Sequence, residues 1–246
     1  KKNISIEQIT ILQSSLSKYS LFNHYTVALI QGADELSEKA KNALLKTLEE
    51  PNQKIIIILT VDHLDHLPKT IASRCQVIKF QPVPYEEIFE YLIHAKIDRE
   101  ESNILAKTSY GLPGKAILYA NNPESLEKYQ NLATTFCQIL SRPLVEKFKK
   151  LSNVFDLKGT AFNENIDKVE EILNAWITIL RDGLLIKSNN EYLINNIYIK
   201  KDLKDISKNH PMGYFQNLMR DIFESKILLR QNINPKIILE NIIINI

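Results

Sequence analysis

The tripeptide Ser73-Arg74-Cys75 contains an arginine that could bind a phosphate group, because of its residue type and its position in the sequence. The preceding residues, 67–72, include a proline and predict one short helix that ends at the arginine. An arginine guanidinium is planar and permanently charged, and it can hold two phosphate oxygens at once, which a lysine cannot. The ordinary alternative for a single arginine is a surface ion pair. The residues themselves leave both roles open for Arg74.

Three segments around this arginine carry a resemblance to a known family. They are 42–51, which reads NALLKTLEEP, then 67–75, and then 76–80. Together they resemble the clamp-loader subunits of bacterial DNA polymerase III, which are AAA+ proteins. The resemblance implies that Arg74 is an arginine finger, which acts in trans on ATP held by a neighbouring subunit. In this interpretation Ser73 shapes the turn and Cys75 is a buried apolar thiol beside the finger.

A phosphate-binding loop of the kind used by ATPases is not found in the sequence. Such a loop has the pattern Gly-x-x-x-x-Gly-Lys followed by Ser or Thr, between a strand and a helix. The nearest approach, 109–116, has Ser109 in place of the first glycine and Ala116 where a hydroxyl must meet magnesium. It also follows a helical pattern. We therefore interpret it as a helix stop followed by a helix that begins at a proline.

A buried strand that ends in two acids is the second element of an ATPase, with one acid for magnesium and one for the attacking water. The strand is predicted to end at Ile30, but Gln31 and Gly32 follow it. The resemblance places the family's two acids at these two positions, so the site would hold neither the metal nor the water. Asp34 and Glu35 are predicted to begin the next helix, whose N-terminus favours their charge.

Two further departures from the ATP-hydrolysing members of the family agree with this interpretation. Residues 60–62 stand where those members carry a threonine pair, and Gly114 stands where they carry a sensing arginine. The resemblance therefore implies the stator of the loader, a subunit that provides an arginine finger and does not hydrolyse ATP. No catalytic activity is expected from this chain alone, which would be an accessory subunit of a DNA polymerase holoenzyme.

The same resemblance implies the partners and cofactors. The partners are other clamp-loader subunits, gamma or tau and delta, in a pentameric ring, and through that ring the sliding clamp and primed DNA. No cofactor is assigned to this chain, and ATP and Mg belong to the neighbouring subunits. In the family, a first strand, a remnant of the phosphate loop and a four-cysteine zinc module come before the position of Lys1. The expectation is that the sequence lacks this N-terminal part, and that any zinc belongs there.

Two other functions stay open at this stage. The chain is an ATP-hydrolysing gamma or tau type of subunit if the missing N-terminal part carries an intact phosphate loop and some other acid replaces Gln31 and Gly32. It is a purely structural ring scaffold if Arg74 makes only an interface salt bridge. Nucleotide turnover by the isolated full-length chain would favour the first function. Unchanged turnover of the loader after loss of Arg74 would favour the second.

Composition and charge exclude several classes of protein. The chain has 246 residues, of which 44% are hydrophobic, and this is enough for a substantial core. Its apolar runs are too short to cross a bilayer and no signal peptide opens it, so a cytoplasmic address is expected. A net charge of +2 is too mild to indicate a nucleic-acid-binding protein. The nearest basic cluster, Lys147, Lys149 and Lys150, is predicted to form an exposed helix face.

Metal and disulfide chemistry have little support in the sequence. Two cysteines, Cys75 and Cys137, are too few for a disulfide framework or a metal cluster. The five histidines lack metal-ligand spacing with any cysteine. His63 and His66, which come shortly before the predicted helix at 67–72, are predicted to be solvated loop residues.

The elements that position these residues are predicted to form an α/β part followed by an all-α part. Residues 1–81 are predicted as the C-terminal part of an AAA+ α/β core, in which alternating strands and helices favour a parallel sheet covered on both faces. Residues 82–122 are predicted as a helical lid, and residues 123–246 as a helical collar through which the subunit joins the ring. The predicted strands are 24–30, 54–59 and 76–80, and the predicted helices of the core are 5–18, 37–49 and 67–72.

The pattern beyond a proline-rich linker at 81–84 is wholly helical. Three small helices, at 85–95, 98–109 and 113–120, match the lid of AAA+ proteins. In the collar, the stretches 175–185 and 232–241 resemble those of the family. Arg181 and Asp182 can equally be solvated charges on an amphipathic helix, in which an apolar stripe at 166–180 is predicted as a core or subunit contact.

Overall fold

A computed structural model of the chain describes residues 4–19, 25–50, 54–62, 64–154, 162–231 and 233–246. The chain divides into two compact units, Lys1–Phe80 and Gln81–Ile246. The first unit is α/β and the second is helical, so the predicted fold class is confirmed. The finer division into a core, a lid and a collar stays a prediction.

The described part of the first unit is a pair of parallel strands with helices. Its elements are α1 (Ile6–Tyr19), β1 (Thr26–Ile30), α2 (Glu38–Glu49), β2 (Ile55–Leu59) and α3 (Lys69–Ala72). Thr26 lies opposite Ile55 and Ile30 opposite Leu59, with α2 as the crossover between the strands. This is the parallel pairing that the alternation of strands and helices predicts. The predicted first residue of β1, His24, lies outside the described residues.

Helices α1 and α2 begin at capping residues, because the first N–H groups of a helix need acceptors. The side chain of Gln8 accepts a hydrogen bond from the Ser5 amide at 2.9 Å, which is one of the two bonds of a capping box. Ser37 accepts from the Ala40 amide at 3.2 Å and so begins α2. Asp34 and Glu35 do not begin α2, contrary to the prediction.

The separation of these two acids from α2 has a local cause. They lie in a short 3-10 turn at Ala33–Glu35, after which Leu36 is extended. Leu36 forms a parallel bridge with Ile4, and the Ile4 amide donates to the Glu35 carbonyl at 2.9 Å. This contact with the start of the chain ends the turn and delays the helix to Ser37.

The third predicted strand, at 76–80, is wrong. The segment follows α3 without strand pairing to any described residue, and Ile78 and Phe80 are exposed, Phe80 by 95%. An apolar, β-branched segment becomes a strand only where a neighbour satisfies its backbone N–H and C=O groups. The residue types were suitable here, but the segment pairs with no strand among the described residues.

The prediction of a sheet covered on both faces is also wrong for the described residues. Successive side chains of a strand point to opposite faces. Ala28 and Ile30 are buried, and Ile30 packs into the core of this unit. The opposite face is apolar and exposed, and consists of Val27, Leu29, Ile56 and Ile58. Apolar residues on both faces of a strand indicate that both faces can be buried. They do not show which part of the molecule covers each face.

The second unit is built of nine helices in its described residues. They are α4 (Tyr85–His94), α5 (Arg99–Thr108), α6 (Pro113–Asn121), α7 (Pro123–Leu140), α8 (Leu144–Val154), α9 (Phe162–Lys187), α10 (Lys200–Asn209), α11 (Met212–Arg230) and α12 (Pro235–Asn245). Asp98 and Asn234 cap α5 and α12. Over the described residues, no helix has the length and the apolar character that crossing a membrane requires.

Helix α9 supplies the centre of the large core, as its apolar stripe predicts. Val169, Leu173 and Trp176 are fully buried. The Trp176 ring stacks on Phe136 of α7 with 4.4 Å between centroids. The stripe is therefore an internal contact that packs α9 against neighbouring helices of the same unit.

The predicted exposed lysine face on α8 is wrong at Lys147. This residue is only 8% exposed, while Lys149 is exposed. Lys147 precedes the buried Leu151 by four residues and so shares its helix face. Its aliphatic stem is packed there, and the same burial lowers the pKa of its ammonium group.

Candidate functional site

Arg74 lies two residues beyond the end of α3, in a turn that continues the helix. Its amide donates to the Ile71 carbonyl at 3.0 Å, and the Cys75 amide donates to the Ala72 carbonyl at 3.2 Å. Ile71 is fully buried and anchors the helix in the core of the first unit. The short helix that ends at the arginine is therefore confirmed, with Pro68 as the residue before the helix and not its first residue.

Two acceptors hold the guanidinium of Arg74. Nη1 donates to the Thr70 carbonyl at 2.9 Å, and Nη2 donates to Oε1 of Glu49, the last residue of α2, at 2.6 Å. The side chains of Arg74 and Glu49 are 37% and 46% exposed. A guanidinium has five N–H donors, so these two bonds leave three for another acceptor. The result is an oriented, half-exposed cation that can bind an anion.

The two residues beside Arg74 contribute to the turn and to its packing. Ser73 Oγ donates to the Thr70 carbonyl at 3.1 Å, which is the same carbonyl that accepts from Arg74. Cys75 is half-buried, and not buried as predicted, because it packs at the edge of the core of the first unit. Desolvation raises the pKa of its thiol, which makes it a poor nucleophile at neutral pH.

The carboxyl ends of β1 and β2 meet at the edge where the family resemblance places ATP chemistry. The Gly32 amide donates to Thr60 Oγ1 at 3.1 Å, and the Thr60 amide donates to the Ile30 carbonyl at 3.0 Å. Gly32 has a φ of 71°, a left-handed conformation that suits glycine. The hydroxyl of Thr60 thus fixes the loop after β1, in which Gln31 and Gly32 offer no carboxylate.

The segment that comes nearest to a phosphate-binding loop is a connection between helices. Helix α5 ends at Thr108 and α6 begins at Pro113, as predicted. Gly111 between them has a φ of 77°, and a Cβ there would lie 2.6 Å from Cβ of Pro82. Its carbonyl accepts from the Val83 amide at 2.8 Å. The loop therefore packs against the linker at 81–84.

Sequence reasoning missed a buried polar cluster in the second unit, centred on Asp182 of α9. This residue is fully buried, so the prediction of a solvated charge is wrong for it. Its Oδ2 accepts from the backbone amides of Asn195 and Asn196 at 3.1 and 2.8 Å, and from the Asn196 side chain at 2.9 Å. Arg181 donates to Oδ1 at 3.0 Å. Desolvation nevertheless outweighs these bonds and raises the pKa of the carboxyl group.

The cluster continues through Asn196 to two tyrosines. The Asn196 side chain donates to the Tyr110 hydroxyl at 2.6 Å and accepts from the Tyr129 hydroxyl at 3.1 Å. Tyr129 also shares a hydrogen bond of 2.9 Å with Thr178. The cluster thereby joins the α5–α6 connection to α7 and α9. One sequence signal could have found it, because Asp182 falls three residues after the apolar Ile179 and so lies on the same side of the helix as that residue.

Metal binding has no candidate in the part of the chain that the structure describes. No group of three or more His, Cys, Asp and Glu side chains there could hold an ion. His63 lies outside the described residues, so its predicted solvent exposure stays a prediction. The geometry therefore leaves Arg74 as the candidate for chemistry and the Asp182 cluster as a structural feature.

Comparisons with known proteins agree with the resemblance in the sequence. Residues 1–84 match the family model described as DNA polymerase III, delta subunit. Subunit delta′ of DNA polymerase III from Bacillus subtilis (strain 168) is 28% identical over 246 residues, which are 98% of this chain and 72% of the relative. Subunit delta′ from Haemophilus influenzae is 39% identical over 118 residues, which are 48% of this chain and 35% of the relative.

Two further matches are to gamma-type proteins. Subunit gamma of DNA polymerase III from Buchnera aphidicola subsp. Acyrthosiphon pisum is 35% identical over 113 residues, which are 44% of this chain and 31% of the relative. The crystal structure of a DNA polymerase III gamma subunit-related protein from Thermotoga maritima is 18% identical. It covers 99% of this chain and 79% of its own, with a TM-score of 0.46.

The fold is an α/β unit followed by a helical unit, and the sequence matches are to subunits of DNA polymerase III. The sequence resemblance to clamp-loader subunits of DNA polymerase III is therefore confirmed by these matches. A delta′ subunit, that of Bacillus subtilis, aligns with 98% of this chain.

Proposed function

We propose that this chain is the delta′ type of clamp-loader subunit, which supplies Arg74 in trans to ATP held by a neighbouring subunit and does not itself hydrolyse ATP. The observation that carries the proposal is the geometry of Arg74. The guanidinium stands at the end of a helix anchored in a core, is half-exposed, and has donors left for phosphate oxygens. A planar, permanently charged group in such a position suits the charge that develops on a transferring phosphoryl group.

The absence of hydrolysis by this chain is supported by the residues at the sheet edge. Gln31 and Gly32 occupy the positions that follow β1, and neither can bind magnesium through a carboxylate or activate a water. Thr60 uses its hydroxyl to fix the Gly32 loop. Gly114, at the position of the family's sensing arginine, lies in the first turn of α6 and carries no side chain.

Partners and cofactors follow from this role. The other clamp-loader subunits, gamma or tau and delta, would complete the ring in the cytoplasm, and the ring would load the sliding clamp on primed DNA during replication. ATP and Mg would be bound by the neighbouring subunits. When ATP binds, Arg74 would couple that site to closure of the ring around the clamp, and hydrolysis would release the clamp. Ser73 would support this action by fixing the turn that carries Arg74.

The proposal is tested with a loader reconstituted from full-length subunits that carry wild-type chain or Arg74→Ala. Loss of an arginine finger costs on the order of a thousandfold or more in turnover at the site it serves. Because the loader has several sites, we expect a smaller, several-fold drop in its total clamp-dependent and DNA-dependent ATPase. Size-exclusion chromatography must show equal assembly of the two loaders.

Arg142→Ala is the matched control. Arg142 is exposed to a similar degree and also forms an ion pair, at 2.7 Å to Glu146, but lies in the second unit. Its loss should leave ATPase unchanged. Unchanged turnover with Arg74→Ala would make the chain a ring scaffold and contradict the proposal. Turnover by the isolated full-length chain would instead favour a hydrolysing, gamma or tau type of subunit.

A further inference from the structure

Glu49 is the only side-chain partner of Arg74 within the part of the chain that the structure describes. Its Oε1 accepts from Nη2 of Arg74 at 2.6 Å, a short, charge-assisted bond between residues 25 positions apart. The Thr70 carbonyl accepts a hydrogen bond from Nη1, the other terminal nitrogen of the guanidinium. Because the planar guanidinium is hydrogen-bonded at two nitrogens, it can no longer rotate freely about the last side-chain bonds of Arg74.

The position of Glu49 is itself fixed by packing. Leu44 of α2 and Ile71 of α3 are buried in the same core, at 1% and 0% exposure. Gln13 of α1 donates to the Ala43 carbonyl at 2.8 Å and to the Thr47 hydroxyl at 2.7 Å, which ties down the second half of α2. The separation between Glu49 and Arg74 is therefore set by two packed helices.

We infer that Glu49 is a positioning residue, which holds the Arg74 guanidinium in the direction required to meet the neighbouring phosphate; this inference rests on the proposed function of Arg74. An arginine side chain has many rotamers, and it loses less freedom on binding when a partner has already fixed it. A reacting geometry that is wrong by about 1 Å can cost on the order of a hundredfold in rate. Glu49 thus acts through Arg74 and need not touch the nucleotide.

The opposite role would be a latch, in which Glu49 competes with the phosphate for Arg74. Two observations favour positioning. The two bonds leave three of the five N–H donors for the phosphate, so Glu49 need not be displaced. Both side chains are more than a third exposed, and solvent screens the charge that Glu49 places beside the guanidinium. The loss of attraction between Arg74 and the phosphate, caused by the negative charge of Glu49, is therefore small compared with the benefit of a fixed guanidinium orientation.

The experiment measures ATP turnover of the reconstituted loader with Glu49→Ala and with Glu49→Gln. We expect Glu49→Ala to lower kcat at the served site about tenfold, with the KM for ATP unchanged within about twofold, because only the orientation of the finger is lost. Glu49→Gln keeps an oxygen that can accept from Nη2 and should retain most of the rate. Glu50→Ala, which removes the adjacent exposed carboxylate, is the control and should match wild type.

A double-mutant cycle connects the effect to Arg74. In a loader with Arg74→Ala, the further change Glu49→Ala should alter turnover less than twofold. Trapping of ADP with aluminium fluoride, a mimic of the transferring phosphoryl group, gives a readout apart from turnover. Trapping should weaken with Glu49→Ala and be restored by Glu49→Gln.

The outcomes distinguish a failure of this inference about Glu49 from a failure of the proposed function of Arg74. If Arg74→Ala leaves turnover unchanged, the proposed finger itself fails. If Arg74→Ala lowers turnover while Glu49→Ala leaves it unchanged or raises it, the finger stands and the positioning role is overturned. An equal loss from Glu49→Ala in both backgrounds would show that Glu49 acts independently of Arg74, which also overturns it.

Discussion

At the scale of single residues, the two charges that sequence reasoning weighed, Arg74 and Asp182, have opposite surroundings. Arg74 is half-exposed, and its two bonds leave donors for an outside anion. Asp182 is fully buried, and donors of its own chain surround its carboxylate. Exposed ion pairs contribute only about 0.2–1 kcal/mol to stability, so Arg74 is better explained by function than by folding. Asp182, in contrast, is better explained by its contribution to folding than by a function.

The contribution of Asp182 to folding can be measured with Asp182→Ala. The change leaves the amides of Asn195 and Asn196 and the Asn196 side chain without their shared acceptor in the interior. An unsatisfied buried donor costs about 1–3 kcal/mol, so we expect the free energy of unfolding to fall by about 3 kcal/mol. Urea unfolding followed by the fluorescence of Trp176, the one tryptophan of the chain, would measure it.

The control for this change is Asp205→Ala. Asp205 lies on α10 with a 60% exposed side chain, in an ion pair with Lys208. Its removal should change the free energy of unfolding by less than about 0.5 kcal/mol. A loss below about 1 kcal/mol with Asp182→Ala would mean that water or a small rearrangement satisfies the buried donors.

At the scale of elements, the sequence predicts what depends on neighbours in the chain. The starts of α5 and α12 follow from Asp98 and Asn234, because a cap acts two or three residues away. The short helix before Arg74 follows in the same way from the residues beside it. For these elements, local chemistry and the tertiary structure require the same conformation.

The errors concern what depends on distant parts of the chain. The segment 76–80 has the residue types of a strand, but a strand needs a partner edge. Similarly, the partner of Arg74 lies 25 positions away and that of Tyr110 86 positions away, at Asn196. Neither spacing has a local signature. The sequence therefore predicts the place of Arg74 and not the acceptors that orient it.

The contact between α9 and α11 can be tested with a pair of glycines. A Cβ at Gly183 of α9 would lie 2.5 Å from Cε1 of the fully buried Phe215 of α11, whereas a Cβ at Gly213 would meet nothing within 4 Å. We expect Gly183→Ala to destabilise the protein by about 1–3 kcal/mol, because the buried ring must move.

Gly213→Ala in the first turn of α11 is the matched change without a steric conflict. It should be neutral or stabilising by up to about 1 kcal/mol, since alanine loses less backbone entropy than glycine. Urea midpoints of the two variants, compared with wild type, give both values. Equal effects of the two changes would show that the close approach of α9 and α11 is not required.

At the scale of the whole molecule, the two units differ in how they bury their apolar residues. In the first, one face of the β1–β2 pair packs into a small core while the other, at Val27, Leu29, Ile56 and Ile58, is exposed. In the second, a continuous core includes Phe136, Trp176 and Phe215. Stability from apolar burial grows with the area removed from water, at about 25 cal/mol per Å². The second unit therefore has the larger share of it.

This difference predicts that residues 81–246 fold on their own. The boundary after Phe80 lies before the extended segment 81–84, and the Asp182 cluster and the stack of Trp176 on Phe136 belong wholly to the second unit. We expect this fragment to unfold in one cooperative urea transition. Its Trp176 fluorescence should give a free energy of unfolding within about 1 kcal/mol of that from the longer chain. A broad, non-cooperative transition would show that the helical unit depends on the α/β unit for its structure.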